Sequence, residues 1–173
     1  MKTVILLRHA KSSWADPELP DHERPLNKRG WQAAPRMAEW LAHRGHLPDT
    51  ILSSSSLRTR QTVARMAEAV PALPEPVLDS TLYHAAPERM RERLRRLPNS
   101  CASVMLVGHQ PGLSAFARKL AGGRVRPRCA RAFEHFPTAA AAVLTVPIDD
   151  WAALRCGTAD FVDFAVPKEL APG

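Results

Sequence analysis

Cysteine is scarce, aromatic residues are few, and long apolar runs are missing. The 173 residues include three cysteines, Cys101, Cys129 and Cys156. They are too few and too scattered for a disulfide framework or a cysteine-rich zinc site, and a reducing cytoplasm suits them best. Aromatics make up 6%, and no segment interleaves them with basic residues as a nucleic-acid-binding motif would. Nucleic acid is therefore not an expected partner. No stretch approaches the roughly 20 apolar residues of a membrane helix. The N-terminal apolar run, Thr3 to Leu7, is shorter than a signal-peptide core and stops at Arg8. The expectation is a soluble, cytoplasmic protein with no membrane partner.

What is present is globular in character. Hydrophobic residues make up 45% and charged residues 24%, close to ordinary averages. The length suits one domain, residues 1–173, able to bury a core without a metal or disulfide staple. Lys and Arg number 24 against 17 Asp and Glu, a net charge of +7, with a pI near 10.0. That balance favours anionic partners such as phosphate esters or acidic proteins. The densest basic cluster, Arg89 to Arg96, is interleaved with Glu88 and Glu92 and reads as a solvated helix face.

Along the chain, strand and helix patterns alternate. Thr3–Leu7 and Ser103–Val107 are apolar on both faces, as buried parallel strands are. Thr50–Leu52 and Val77–Leu78 read as shorter strands, and Ala140–Val146 and Phe161–Val166 complete the sheet. Helical spacing runs from Gly30 to Arg44, with Trp31, Ala34, Met37, Ala38 and Leu41 apolar and Gly45 as the stop. Further helices are expected over Leu57–Val70, Pro87–Leu97 and Pro111–Leu120. Ala10–Lys28, with three prolines, reads as a long polar loop. The pattern predicts an α/β three-layer domain with a mostly parallel central sheet flanked by helices.

Three points of this framework carry phosphate-type chemistry. Arg8 and His9 follow the first strand, Arg58 opens the helix after the second, and His109 follows Ser103–Val107. In open α/β sheets ligands bind at the carboxyl ends of the strands. Each residue alone is ordinary; together they form a set. Two arginines offer forked donors matched to phosphate oxygens. Positive neighbours hold an imidazole unprotonated and nucleophilic, and a second histidine can stabilise charge developing on a phosphoryl oxygen. A metal site, the rival use of two histidines, lacks a nearby carboxylate at ligand spacing, and the arginines repel a cation. No metal or cofactor is expected.

These residues carry a resemblance. Leu7-Arg8-His9-Ala10 resembles the Arg-His-Gly signature of the histidine phosphatase (phosphoglycerate mutase-like) superfamily. Arg24-Pro25-Leu26-Asn27-Lys28-Arg29-Gly30 is similar to the loop before that family's first helix. Ser54 to Thr62 is similar to its Ser-x-x-x-Arg-x-x-Gln-Thr motif, and Val107-Gly108-His109 to its second-histidine motif. His135 to Ala140, Trp151 and Pro167-Lys168 resemble the small bacterial SixA-type phosphohistidine phosphatases. The resemblance implies a phosphoglycerate mutase-like fold. It makes His9 the nucleophile that accepts the phosphoryl group, with Arg8, Arg58 and His109 lining the phosphate pocket and water releasing phosphate.

The departures bear on the substrate. Lys11 stands where the mutase pattern has an acidic residue, and Ala15 where it has asparagine, while Ser12 is retained as a candidate phosphate contact. Larger members place a glutamate acid before the third helix. Leu78 to His84 contains none; Asp79 is the carboxylate on offer, with Tyr83 and His84 as candidates for the acid or the pocket rim. Expelling an alkoxide without a proton donor is hard, whereas an imidazole leaving group can carry the proton on its other nitrogen. The reading is a cofactor-free phosphohistidine phosphatase acting on a phosphorylated protein. A phosphatase of small phosphate esters or nucleotides, and a non-catalytic phosphate-binding module, are its rivals.

Overall fold

In the computed structural model, described over residues 1–170, six strands form one sheet. They are β1 (Lys2–Arg8), β2 (Thr50–Ser54), β3 (Pro76–Asp79), β4 (Ser103–Gly108), β5 (Ala141–Val146) and β6 (Asp160–Ala165), in the order β3-β2-β4-β1-β5-β6. Neighbours among the first four strands pair in parallel, whereas β5 runs antiparallel to both β1 and β6. The sheet is thus mostly parallel, as expected, with one reversed strand. Apolar runs buried on both faces do not encode direction, which is why the reversal was not visible beforehand.

Alternation along the central strands splits the core into two layers. Ile5, Leu7, Met105 and Val107 face α1 (Lys28–His43) and α2 (Leu57–Ala69). Val4, Leu6, Val104 and Leu106 face α3 (Pro87–Leu94) and α4 (Gly112–Ala121). Asn27 caps α1, its side chain accepting from Gly30 N at 2.9 Å. At the other end Gly45 is left-handed (φ +73°), Gly45 N donates to Ala42 O and His46 N to Leu41 O. This is the paired-bond stop that a glycine after a helix permits.

Two details of α1 depart from the sequence reading. Trp31 lies 40% exposed rather than in the core, under the Arg65 guanidinium, 4.7 Å from its ring. Gly30 takes the buried slot instead, because a Cβ there would lie 2.2 Å from Lys11 O. Within α1, Pro35 has no N–H to donate to Trp31 O, and Arg65 of α2 supplies two donors to that carbonyl at 3.2 Å. The proline therefore links the two helices rather than breaking one.

The expected polar loop Ala10–Lys28 is not a free spacer. It carries a 3-10 turn at Asp21–Glu23, and Ser12 bridges Leu26. Gln61 Oε1 accepts from Leu26 N, and Thr62 Oγ1 accepts from Ala10 N. The loop is folded back over the carboxyl ends of the parallel strands. Among the described residues, no helix is long and apolar enough to cross a membrane.

Candidate active site

Strand register alone places two histidines side by side. Arg8 of β1 pairs with Gly108 of β4, so the next residues, His9 and His109, leave the sheet together, their rings 5.4 Å apart. His9 N donates to Gly108 O at 3.1 Å and fixes the exit. Arg58, on the first turn of α2, is 2% exposed and reaches the same spot. Ser56 caps that helix with its hydroxyl, as a serine before a helix does. The structure thus brings Arg8, His9, Arg58 and His109 to one rim.

Hydrogen bonds assign the protons. His9 Nδ1 lies 2.8 Å from Ala10 O. A carbonyl only accepts, so Nδ1 carries the hydrogen and Nε2 keeps its lone pair. Burial is the main cause of a depressed His9 pKa, about 3; the cations Arg58, Arg8 and Arg24 push the same way, against the Ala10 bond. His109 is likewise driven down, to about 2, first by burial and then by Arg58. Arg58 Nη2 faces His109 Nδ1 at 3.4 Å, and His109 Nε2 donates to Ser54 Oγ at 2.8 Å. Both imidazoles are neutral bases at neutral pH.

Asp21, unsuspected in the sequence, organises the rim. Its Oδ2 accepts from Arg58 Nη2 (3.0 Å), His84 Nε2 (3.1 Å) and the Tyr83 hydroxyl. Its Oδ1 accepts from Nε and Nη2 of Arg24, both at 3.1 Å. Burial would raise this carboxyl's pKa. The hydrogen bonds from Tyr83, His84 and Arg58 prevail and hold it well below the usual carboxylate range. Asp21 is thus an anchored anion. Arg24 in turn donates to Ser12 Oγ at 2.8 Å and stacks on Trp14, 3.6 Å from the ring.

The remaining candidates divide. Tyr83 and His84 line the rim, packed on His109 with ring separations of 5.3 and 4.8 Å. His84 sits there in a left-handed conformation (φ +51°). Gly112 lets α4 approach this segment, since a Cβ there would meet Ala85 O at 2.2 Å. Asp79 is spent elsewhere. One oxygen accepts from the N–H and hydroxyl of Thr81, the other from Arg93 Nε at 2.9 Å. That pairing corrects the expectation that Asp79 could serve as the acid, because neither oxygen is offered to the histidines. Ser12 is buried, with its hydroxyl already accepting from Arg24.

Two buried donors at this rim have no partner. Among the described residues the buried side-chain nitrogens without a hydrogen bond are Arg8 Nε, Arg58 Nε and, away from the site on α3, Arg91 Nε. Buried donors are normally satisfied, and these two guanidinium N–H groups are left without a protein partner on the two arginines beside the neutral imidazoles. No group of three His, Cys, Asp or Glu side chains suited to a metal ion occurs among the described residues.

Residues 4–83 match the family model of the histidine phosphatase superfamily, branch 1. A protein of Mycobacterium tuberculosis without an assigned function is 38% identical over 166 residues, covering 94% of this chain and all of that one. A crystal structure from Agrobacterium tumefaciens, provisionally assigned as the phosphohistidine phosphatase SixA, is 32% identical with a TM-score of 0.78, covering 96% of this chain and 98% of that one. The chain belongs to the histidine phosphatase superfamily, in its SixA-type form. A tungstate complex of the protein histidine phosphatase SixA has the same fold, with a TM-score of 0.78 over 96% of this chain and 98% of that one, at 23% identity. As a superfamily member the chain is a phosphatase. The mutase-like three-layer fold is the one expected.

Proposed function

We propose that this chain is a phosphohistidine phosphatase that hydrolyses a phosphorylated protein through a covalent phosphoryl group on His9. The observation that carries the mechanism is the His9 tautomer: Nδ1–H is held by Ala10 O, leaving Nε2 as an unprotonated nucleophile among cations. His9 Nε2 attacks phosphorus. The bond from phosphorus to the leaving nitrogen breaks, and its electron pair goes to that nitrogen. Water then attacks the phosphoryl group, the bond to Nε2 breaks, and inorganic phosphate leaves. Arg8 and Arg58 supply forked donors to the phosphoryl oxygens. His109 stays neutral, and its one N–H, on Nε2, which donates to Ser54 Oγ in the free site, is the donor it would turn to a phosphoryl oxygen.

The substrate class rests on the state of Asp21. This rim carboxyl group is held ionised by its hydrogen bonds, so it has no proton to give a leaving alkoxide. A phosphoramidate needs less, because the departing imidazole carries its proton on the other nitrogen. Tyr83 and His84 then serve as the rim that orients the substrate. The positive field of Arg8, Arg24 and Arg58 serves in place of a metal ion, and activity should persist in chelator. The cysteines, unpaired in the structure, suit a reducing cytoplasm.

The test compares wild type with His9→Ala on a phosphohistidine peptide and on an alkyl phosphate, without added metal. The expected result is turnover favouring the phosphoramidate, an acid-labile phosphoryl adduct on His9, and loss of both in the variant. Equal or better turnover of the alkyl phosphate would move the reading to small phosphate esters. Phosphate binding with no turnover of either would leave a binding module.

A further inference from the structure

Next to the catalytic loop lies a cavity of about 230 Å³ that the phosphoryl chemistry does not use. Lys11, Arg29, His135 and Lys168 contribute to its lining, together with apolar walls from Pro137 and Val166. Backbone contacts tie it to the active site. Lys11 is two residues beyond His9. Pro137 follows Phe136, whose carbonyl accepts from Arg8 Nη1 at 3.0 Å, and Ala139 N donates to His9 O at 2.9 Å. The close approach of Gly30 to Lys11 O brings Arg29 to the same wall.

Its charge sets it apart from other basic hollows. The hollow lined by Arg89, Arg93 and Arg96 contains Asp79 and Glu92, that of Arg44 and Arg128 contains Asp163, and that of Arg124 and Arg126 contains Asp160. Among the described residues, the cavity beside Lys11 has no carboxylate in its lining. Glu169, adjacent to Lys168, is bound to Arg131 instead. Among the described residues Lys11, Arg29 and Lys168 form no salt bridge with a carboxylate. Three exposed cations crowded round one cavity repel each other, and that repulsion is relieved when an anion enters.

We infer that this cavity is a second substrate subsite, taking an acidic side chain of the phosphorylated protein while its phosphoryl group sits at His9. The inference rests on the phosphoprotein reading of the active site. The mixed lining favours a group with a short aliphatic stem and an anionic end, as in aspartate and glutamate, over a bare inorganic anion. A cavity open to the surface and continuous with the catalytic loop is reached by a neighbouring side chain of the same polypeptide. Lys11, where the mutase pattern has an acid, changes the sign of the charge presented beside the nucleophile.

The experiment uses two phosphohistidine peptides that differ only in whether the flanking residues are Glu or Gln. They are assayed with wild type and with Arg29→Gln/Lys168→Gln, whose replaced side chains are exposed. Wild type should prefer the acidic peptide by about three- to tenfold in kcat/KM, the scale of two exposed ion pairs. The preference should lie in KM and shrink in high salt. In the double variant the two peptides should become equivalent. No preference in wild type, or a preference kept by the variant, would overturn the subsite. If neither peptide is turned over but an aryl phosphate is, the phosphoprotein reading fails and the cavity is tested separately. Inhibition of aryl phosphate hydrolysis by an unphosphorylated Glu-rich peptide, lost in the double variant, would uphold it. Inhibition by pyrophosphate alone would overturn it in favour of small polyanions.

Discussion

The two ends of the sheet both bury cations, and they treat them differently. At the amino end of β1, Lys2 is 6% exposed. Its Nζ donates to Asn99 O at 2.7 Å and to Cys101 O at 2.9 Å. The indole N–H of fully buried Trp151 donates to the same Cys101 carbonyl at 2.8 Å. There each buried polar group is answered by the protein itself. At the carboxyl end of the same strand, Arg8 and Arg58 keep buried N–H groups with no partner, and two imidazoles are held neutral where burial and neighbouring charge forbid a proton. At one end the buried cation is satisfied and holds the fold together; at the other, each arginine keeps one N–H without a protein partner beside the two histidines.

The contrast can be tested from both sides. The largest effect is expected from His9→Ala, which should lower turnover by on the order of 10⁴-fold or more with the fold intact by circular dichroism. Residual turnover within tenfold of wild type would remove His9 as nucleophile. Next, Arg58→Lys keeps the charge but loses the fork, and kcat/KM should fall on the order of 10²- to 10³-fold. Inorganic phosphate should also cease to raise the melting temperature of that variant, as ligand linkage requires. At the other end, Lys2→Met should leave kcat unchanged and cost about 1–3 kcal/mol of stability in urea titration, because the Asn99 and Cys101 carbonyls lose a donor. A drop in kcat without a stability change would invert the comparison.

The smallest effect is a slope. His9 and His109 titrate in the fold near 3 and 2, against about 6.5 for an unfolded histidine. Unfolding therefore takes up protons below about pH 6.5, so their stabilising contribution is full above that pH and declines as the medium is acidified. Melting temperature should fall between pH 7.5 and pH 5, and fall less steeply in His9→Gln. Parallel slopes for the two proteins would show that His9 is not held neutral.

Much of this site could be read in the chain because strand ends are legible. Leu7-Arg8-His9 and Val107-Gly108-His109 each close an apolar run with a cation or an imidazole, and the rim of an α/β sheet then gathers them. Asp21 was missed for the opposite reason. It lies in a proline-broken polar stretch with no periodicity, and such a stretch does not disclose that Gln61 and Thr62 pin its two ends over the rim. The closely spaced Asp21 and Arg24 were the available signal, meaningful only once the loop folds back. Asp79 looked available by type, but the partner that occupies it, Arg93, sits on a helix that the sequence reading treated as solvated surface. The reversal of β5 had no signature, since hydrophobicity reports burial and not direction.

The pairing of Arg8 with Gly108 makes the chemistry a gauge of strand alignment. Side chains alternate faces along a strand, so a slip of one residue between β1 and β4 would send one histidine to the helix layer while the other stayed at the rim. Few misalignments elsewhere in a sheet are so easily seen. Here catalysis itself would report them: a preparation that hydrolyses substrate has its two central strands in step, and a refolded or circularly permuted chain can be scored for native register with a colorimetric assay.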